Sequence, residues 1–366
     1  TFLLVLTFLA STAQTTVTRF VAMRAHDLSS HQLQRWLLRS LRPVSIGLAI
    51  GLIVSAPWLA GAFRLSSPLP LVLLAAGIPV YLAQAVHRGV VQGQERFATL
   101  AGSYQAEMWV RLIMGAGLVA AGFSVSGATT ALIVSFAASW LVVRQPVPSA
   151  GSPTIGLRHE MWTFARSAAL LLAGETLICH GDLIIAKLSF DPGPAGAYAA
   201  VGVIGRLALL GSWPVVALVF PIVARRHAAG EPTGRLLAGA VALVGGGSLL
   251  LTVAAMAVPG QMLELAFGPE YVGAAPWLGP YVAATACFAV ARTVFAYHLA
   301  RGIRTGARLA LAGGVLEVAA LSLLHGSPAT LVWVQVAVGL GLLAVAIGWH
   351  LSRPHLAPVH SLTKGD

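Results

Sequence analysis

The sequence predicts an all-α polytopic membrane protein, because of its composition, its long apolar segments and the placement of its basic residues. Of the 366 residues, 57% are hydrophobic and 10% are charged, whereas soluble domains carry about 25% charged residues. Apolar segments of about 20 residues, the length of a membrane-crossing helix, recur along the whole chain. No segment has the composition of a soluble domain, so we expect nearly all of the chain to lie in a bilayer.

Eleven transmembrane helices are predicted from the apolar segments, with short polar connections between them. In chain order the helices cover residues 1–23, 43–63, 67–87, 98–121, 124–143, 160–188, 195–223, 235–258, 276–299, 307–324 and 328–350. Trp58 and Trp277 lie near predicted helix ends, as in an aromatic belt. Pro214 and Pro221 lie within a predicted helix, where they release backbone groups that protein or water has to satisfy.

The basic residues indicate the orientation of these helices. Sixteen of the 23 Lys and Arg residues fall in every second connection, whereas only Arg64 falls in the others. Because basic connections stay in the cytoplasm, we expect the C-terminus to be cytoplasmic. This placement also explains the net charge of +11 without nucleic acid as a partner. The sixteen residues are Arg24, Arg35, Arg39, Arg42, Arg88, Arg96, Arg144, Arg158, Arg225, Arg226, Arg235, Arg301, Arg304, Arg308, Arg353 and Lys364.

A weak internal repeat relates the two halves of the chain. Residues Arg88–Gly93 read RGVVQG and precede Glu107, and residues Arg301–Gly306 read RGIRTG and precede Glu317. Parallel repeats of this kind build transporters whose halves move around a midplane site. Completing the repeat requires one more helix before Thr1, so we expect the first helix of the protein to be missing from this sequence.

The repeat predicts two pseudo-symmetric helical bundles around a central cavity. Residues 1–150 are expected to form an N-terminal bundle of five helices, truncated at its start. Residues 151–366 are expected to form a C-terminal bundle of six helices, followed by a short cytoplasmic tail.

Ten charged residues lie inside the predicted helices. Each costs about 2.5 kcal/mol or more at the bilayer centre, so a functional role is the first hypothesis. Arg19, Arg166 and Lys187 are close enough to helix ends to extend to the membrane surface, although Arg19 also lies on a helix expected to line the cavity. Arg206, by contrast, is about 16 Å inside its helix at 1.5 Å per residue. The ten residues are Arg19, Arg111, Arg166, Lys187, Arg206, Arg292, Glu107, Glu175, Asp182 and Glu317.

Spacing suggests partners for some of these charges. Glu107 lies one helical turn before Arg111 and can neutralise it, either as a structural ion pair or as a substrate or gating contact. Glu175 and Asp182 are seven residues apart and share one helix face. A carboxylate in a water-accessible cavity can carry protons, and Asp182 can instead pair with Arg206. Both alternatives remain open at this point.

The embedded charges include six basic and four acidic residues, a balance that suits a phosphate or pyrophosphate ligand, because guanidinium groups bind phosphate oxygens in a fork geometry. The sequence contains no nucleotide-binding, hydrolase or metalloprotease motif. We therefore expect no catalytic residues, no metal site and no cofactor. Cys179 and Cys287 lie in apolar segments and predict buried thiols rather than a disulfide framework.

Several motifs, taken in order, resemble the polysaccharide (Wzx-like) flippases of the multidrug/oligosaccharidyl-lipid/polysaccharide exporter superfamily. They span most of the chain, and their order and topology are more specific than any one of them. The motifs are Gly89-Val-Val-Gln92-Gly93-Gln-Glu-Arg96-Phe97, Asp182-Leu-Ile-Ile, Pro194-Ala-Gly-Ala-Tyr198, Arg206, Phe220-Pro221 and Leu265-Ala-Phe-Gly268-Pro-Glu270-Tyr271.

The resemblance implies a flippase that moves undecaprenyl-pyrophosphate-linked oligosaccharide across a bacterial inner membrane by alternating access. Membrane lipids and envelope proteins such as a polysaccharide polymerase are the implied partners. In related lipid II flippases cationic residues on the second and eighth helices line the cavity, and Arg19 and Arg206 lie on the corresponding helices here. Together with Arg292 and Arg111 they are the predicted pyrophosphate contacts. Asp182, Glu175, Glu107 and Glu317 are the predicted coupling or gating residues.

Other functions make different predictions. A drug or cation antiporter of the same superfamily requires an acidic cavity, in which Glu175 and Asp182 are exposed and the arginines turn away. A polytopic glycosyltransferase or ligase requires polar residues clustered at one membrane face, which the sequence does not show. A membrane scaffold without transport activity has no need of unpaired midplane charges.

Overall fold

The structure is a computed structural model that describes residues 2–23, 29–62, 67–145 and 154–352. Within these residues the chain is helical and contains no strand. The helices are α1 (Phe2–Met23), α2 (Ser29–Ala62), α3 (Leu69–Gly93), α4 (Phe97–Leu118), α5 (Ser124–Val143), α6 (Ile155–Ser189), α7 (Pro192–Gly205), α8 (Leu207–Ala228), α9 (Gly234–Ala257), α10 (Pro259–Phe267), α11 (Ala275–Ala300), α12 (Thr305–Leu323) and α13 (Pro328–Leu351).

The predicted fold class is confirmed, since each predicted transmembrane helix corresponds to an observed helix or helix pair. Within the described residues, nine helical stretches are long and apolar enough to cross a membrane. One of them, Phe97–Val143, contains both α4 and α5. Four residues used to predict the orientation lie outside the described part of the chain. They are Arg24, Arg64, Arg353 and Lys364.

The chain packs into two compact units, Thr1–Ala165 and Arg166–Asp366. Helix α6 runs across this division, and the predicted domain boundary at residue 150 lies in a segment that is not described. In the first unit α3 is the central helix and contacts α1, α2 and α5. In the second unit α11 has the same position and contacts α8, α9 and α13. The internal repeat is therefore visible in the packing of the helices.

The register of the repeat differs from the prediction. The connections α3–α4 and α11–α12 contain the same two backbone hydrogen bonds. In each, one N–H donates to the carbonyl three residues earlier, and the next N–H donates to the carbonyl five residues earlier. The donor of the first bond has a left-handed backbone conformation. That residue is Glu95 (φ 58°) in the first connection and Gly302 (φ 84°) in the second. Superposing these turns places Arg88 one and a half turns inside α3, whereas Arg301 follows the end of α11. The predicted match of Arg88 with Arg301 was therefore wrong, although the helices do repeat.

Two helices of the second unit cross in direct backbone contact. A Cβ atom on Gly174 of α6 would lie 2.4 Å from the Ala310 carbonyl oxygen of α12, and one on Gly314 would lie 2.7 Å from the Gly174 oxygen. Small residues permit such an approach between membrane helices. The crossing brings the carboxylates of α6 and α12 into one region of the unit.

Candidate functional site

The first unit contains a charged cluster in which two arginines share one carboxylate. Arg88 of α3 is 5% exposed and donates from Nη2 to Oε2 of Glu107 on α4 over 2.7 Å. Arg111, one turn after Glu107, donates to the other carboxylate oxygen. Glu107 and Arg111 thus form the ion pair that their spacing predicts, and a substrate or gating role for them stays a prediction. We call Gln84, Arg88, Ser103, Glu107, Arg111, Ser135 and Ser139 the N-terminal cluster.

Sequence reasoning missed Arg88, which it placed in a cytoplasmic connection. That placement is wrong, because α3 continues to Gly93 and buries Arg88 inside the unit. A signal was present in the sequence, since Gln84, Arg88 and Gln92 recur every four residues and share one face of the helix. Polar residues on a buried helix face indicate a network rather than a loop.

Serine and glutamine side chains complete the hydrogen bonding of the charged groups in this cluster. Ser139 of α5 accepts hydrogen bonds from Arg88 (2.7 Å) and Gln84 (2.6 Å), and its hydroxyl lies 2.7 Å from that of Ser103. Gln84 also donates to Glu107 over 2.8 Å. The charges are therefore held by three helices, and their desolvation cost is offset by hydrogen bonds.

Arg111 is the accessible member of the N-terminal cluster. Its side chain is 44% exposed, compared with 7% for Arg88 and 14% for Glu107. Its Nε lies 3.4 Å from the Ser135 hydroxyl, at the outer limit of a hydrogen bond. A guanidinium held by a carboxylate but still open on one side can bind a second anion.

Arg19 lies elsewhere in the first unit, 8% exposed. Its guanidinium carbon is 4.7 Å from the centre of the Phe164 ring and 5.4 Å from that of Phe20. The two rings meet edge to face, with centres 5.9 Å apart. Aromatic faces stabilise a desolvated cation, so both rings contribute to the burial of Arg19. Arg166 and Lys187, in contrast, are exposed.

In the second unit Asp182 is the centre of a buried network. Its side chain is fully buried, and Oδ1 lies 2.6 Å from Nη2 of Arg206. Oδ2 accepts from the hydroxyls of Tyr281 (2.6 Å) and Tyr198 (3.1 Å). The two rings pack edge to face, 5.8 Å apart. The predicted alternative in which Asp182 pairs with Arg206 is thus the observed one.

Arg206 lies at a break between α7 and α8, whereas the sequence predicted one continuous helix. The hydroxyl of Thr285 on α11 donates to the Gly205 carbonyl over 2.7 Å and satisfies a backbone group at the break. A Cβ atom at Gly205 would lie 2.1 Å from the Tyr281 ring. Glycine before the break therefore lets Tyr281 pack beside Arg206 and reach Asp182. Interrupted helices of this kind place charged groups at midplane sites in transporters.

A second ion pair joins α6 to α11. Glu175 Oε1 lies 2.9 Å from Nε of Arg292, although the N–H group is not aligned with the oxygen. Nη1 of Arg292 donates to Ser212 of α8 over 3.0 Å, and the guanidinium carbon is 5.4 Å from the Trp213 ring centre. Both charged side chains are less than one-fifth exposed. Arg292 is therefore already neutralised within its own unit.

Glu317 of α12 is the remaining carboxylate, and it is fully buried. Its Oε1 accepts a long hydrogen bond of 3.5 Å from the amide of Gln335 on α13. Its Oε2 has no hydrogen-bond partner among the described residues. Gln335 Oε1 in turn lies 3.2 Å from the Tyr198 hydroxyl, whose one hydrogen is shared between Gln335 and Asp182. We call Glu175, Asp182, Tyr198, Arg206, Tyr281, Arg292, Glu317 and Gln335 the C-terminal cluster.

The two clusters differ in charge balance. The N-terminal cluster sets two arginines against one carboxylate. The C-terminal cluster sets two arginines against three carboxylates. An anionic ligand is therefore favoured by the N-terminal cluster and not by the C-terminal cluster. Within the described residues no three side chains are arranged to hold a metal ion.

The fold resembles that of MATE transporters. A crystal structure of a MATE point mutant superposes with a TM-score of 0.83 at 12% identity, covering 96% of this chain and 84% of that one. A multidrug resistance MATE family transporter of the MOP superfamily, in an outward-facing conformation, gives 0.73 at 14% identity with the same coverage. A MOP superfamily transporter from Pyrococcus furiosus, for which reversed polarity of the binding pocket suggests a different function, gives 0.74 at 13% identity, again over 96% and 84%.

In sequence, the chain is similar to uncharacterized proteins of Mycobacterium bovis and Mycobacterium tuberculosis. Each is 25% identical over 325 residues, which cover 87% of this chain and 69% of the relative. No protein-family model matches the chain. The comparisons thus define a multi-pass membrane protein with a MATE-like fold, and the substrate has to be argued from the residues.

Proposed function

We propose that the protein is a membrane transporter that moves a lipid-linked oligosaccharide across a bacterial inner membrane by alternating access, with its C-terminus in the cytoplasm. The lipid carrier is an undecaprenyl pyrophosphate, and a polysaccharide polymerase acts on the delivered product. The observation that carries the proposal is the arginine surplus of the N-terminal cluster, where Arg88 and Arg111 share Glu107. An interior with surplus guanidinium groups favours a phosphate head group and disfavours a cationic drug.

Arg111 is assigned the first contact with the pyrophosphate. Arg206, Arg292 and Arg19 were predicted for the same role, and their assignment stays a prediction. The first two are paired with carboxylates, and Arg19 is packed between aromatic rings. Of the four, only Arg111 combines a charge partner with an open side. Glu107 keeps Arg111 oriented in the absence of substrate, and a phosphate oxygen joins the same guanidinium when substrate binds.

The test is transport in proteoliposomes that contain the purified protein and a lipid-linked oligosaccharide. Movement of the glycan to the outer surface is followed by its accessibility to an added lectin. We expect Arg111→Ala to reduce transport efficiency by about tenfold to a hundredfold, the equivalent of one charged hydrogen bond of about 1.5–3 kcal/mol. Arg166→Ala, which removes an exposed arginine, is the matched control and should transport normally. Wild-type protein that moves no lipid-linked oligosaccharide would refute the proposal.

A second candidate is a MATE-like drug or cation antiporter, and the observation in its favour is Glu317. A buried carboxylate with one oxygen that no described residue hydrogen-bonds, in a cluster with surplus acidic charge, fits a cation or proton carrier. Under this alternative, vesicles with wild-type protein extrude a cationic dye against an imposed proton or sodium gradient, and Glu317→Gln abolishes the extrusion. The same vesicles leave lipid-linked oligosaccharide in place.

A further inference from the structure

Three neighbouring helices of the first unit carry polar residues at helical spacing on the sides that meet. The Thr7 and Tyr81 hydroxyls are 3.4 Å apart, Gln14 donates to Gln92 over 2.8 Å, and Gln14 also donates to the Tyr104 hydroxyl over 3.3 Å. We call this surface the polar face of the first unit. Its members are Thr7, Ser11, Gln14 and Thr18 on α1, Tyr81, Gln84, Arg88 and Gln92 on α3, and Tyr104, Glu107 and Arg111 on α4.

Tyr104 presents an aromatic surface on this polar face. The Arg88 guanidinium carbon lies 3.9 Å from the ring centre and covers one side of the ring. Because Tyr104 is nevertheless 45% exposed, its other side is open. Trp109, an exposed apolar residue of α4, lies off the polar face, whereas Met108 lies one turn after Tyr104 on the same side of the helix. The tyrosine hydroxyl is directed to Gln14 rather than to a membrane surface, so an aromatic belt does not account for it.

The Tyr104 hydroxyl and the Gln14 side-chain amide each have one hydrogen-bonding group that no described residue uses. The Tyr104 hydroxyl accepts from Gln14, but its own hydrogen has no acceptor among the described residues. The side-chain amide nitrogen of Gln14 donates two hydrogen bonds, to Gln92 and to Tyr104. Its side-chain amide oxygen accepts no hydrogen bond from any described residue. One donor and one acceptor thus stand next to an open aromatic face. Sugars present matching groups, since hydroxyls both donate and accept while the C–H edges of the ring pack on aromatic faces.

We propose that Tyr104 and Gln14 form a glycan-binding subsite, which holds the first sugar of a lipid-linked substrate while Arg111 holds its pyrophosphate. The inference rests on the proposed function and adds the residues that distinguish a sugar-bearing lipid from a bare one. Tyr104 and Arg111 are seven residues apart on α4, or about 10 Å along the helix. That separation matches a sugar joined directly to a pyrophosphate. Arg88 links the two subsites, because it stacks on Tyr104 and bonds to Glu107.

The experiment compares two probes bound to the full chain in nanodiscs. One is a polyprenyl pyrophosphate without sugar, and the other is the same lipid carrying a disaccharide. We expect Tyr104→Ala to weaken binding of the sugar-bearing probe by about tenfold, from loss of the aromatic contact, and to leave the bare lipid unchanged. Trp109→Ala, a loss of an aromatic residue that is 53% exposed on the same helix, should bind both probes as the wild type does.

Two further variants distinguish loss of the sugar contact from misfolding and from loss of pyrophosphate binding. Tyr104→Phe retains the ring and the fold, so it should lose less affinity for the sugar-bearing probe than Tyr104→Ala. Arg111→Ala should weaken both probes together. The glycan subsite is overturned if the wild-type protein binds the two probes with equal affinity and Tyr104→Ala binds both as the wild type does. That result leaves the proposed function standing. Wild-type protein that binds neither probe overturns the proposed function and the subsite with it.

Discussion

Replacing Asp182 by Asn tests whether the C-terminal cluster stabilises its unit. The substitution keeps the size of the side chain but removes the charge that lies 2.6 Å from Arg206. Arg206 is only 11% exposed, so it cannot regain its hydration without disrupting the packing. Breaking a buried ion pair from one side costs about 3–5 kcal/mol. Because the Asn oxygen still accepts from Tyr281, we expect a loss near the lower end, about 3 kcal/mol.

The assay is equilibrium denaturant unfolding of the purified protein in detergent, followed by circular dichroism. Asp191→Asn is the control, because Asp191 is exposed and its side chain makes no capping bond to α7. The double variant Asp182→Asn/Arg206→Met removes both charges and should recover part of the loss, with a coupling energy of about 0.5–3 kcal/mol. The reasoning fails if Asp182→Asn unfolds within about 0.5 kcal/mol of wild type, or if the double variant recovers nothing.

Two further predictions use the same unfolding assay. Gly205→Ala should destabilise the protein by about 1–3 kcal/mol through overpacking, because the added Cβ would lie 2.1 Å from the Tyr281 ring. Gly211→Ala is the control and should be close to neutral, since Gly211 has open space around it. Equal effects of the two variants would contradict the packing argument. Glu107→Gln should cost about 3–5 kcal/mol, since it leaves Arg88 buried without a counter-charge. A Glu107→Gln protein as stable as wild type would show that Arg88 is hydrated rather than desolvated.

The helices could be predicted almost completely from the sequence, because length and apolar composition decide what crosses a bilayer. The break at Arg206 could not. Neighbouring residues do not reveal that Thr285, some eighty positions later, satisfies the backbone there. Pro214 and Pro221 drew attention to this stretch, but both lie inside α8 rather than at the break.

Charge pairing was predictable for partners on the same predicted helix or on consecutive ones, as for Asp182 with Arg206, and unpredictable elsewhere. The Glu107–Arg111 pair follows from helical spacing, and the structure has it. Arg88 was misplaced because the positive-inside rule counts an arginine near a helix end as a loop residue whether or not it is buried. The pairing of Glu175 with Arg292 depends on how α6 meets α11, which a single sequence does not specify.

The pairing of Glu175 with Arg292 has a consequence for biosynthesis. The arginine follows its carboxylate by 117 positions, so at about 5–20 residues per second Glu175 has been synthesised roughly 6 to 23 s before its counter-ion exists. During that time α6 carries an uncompensated acid through the insertion machinery. The second unit therefore completes its ion pairs late, when α11 arrives, and a nascent chain stopped before α11 should be recognised by quality-control proteases as unfinished.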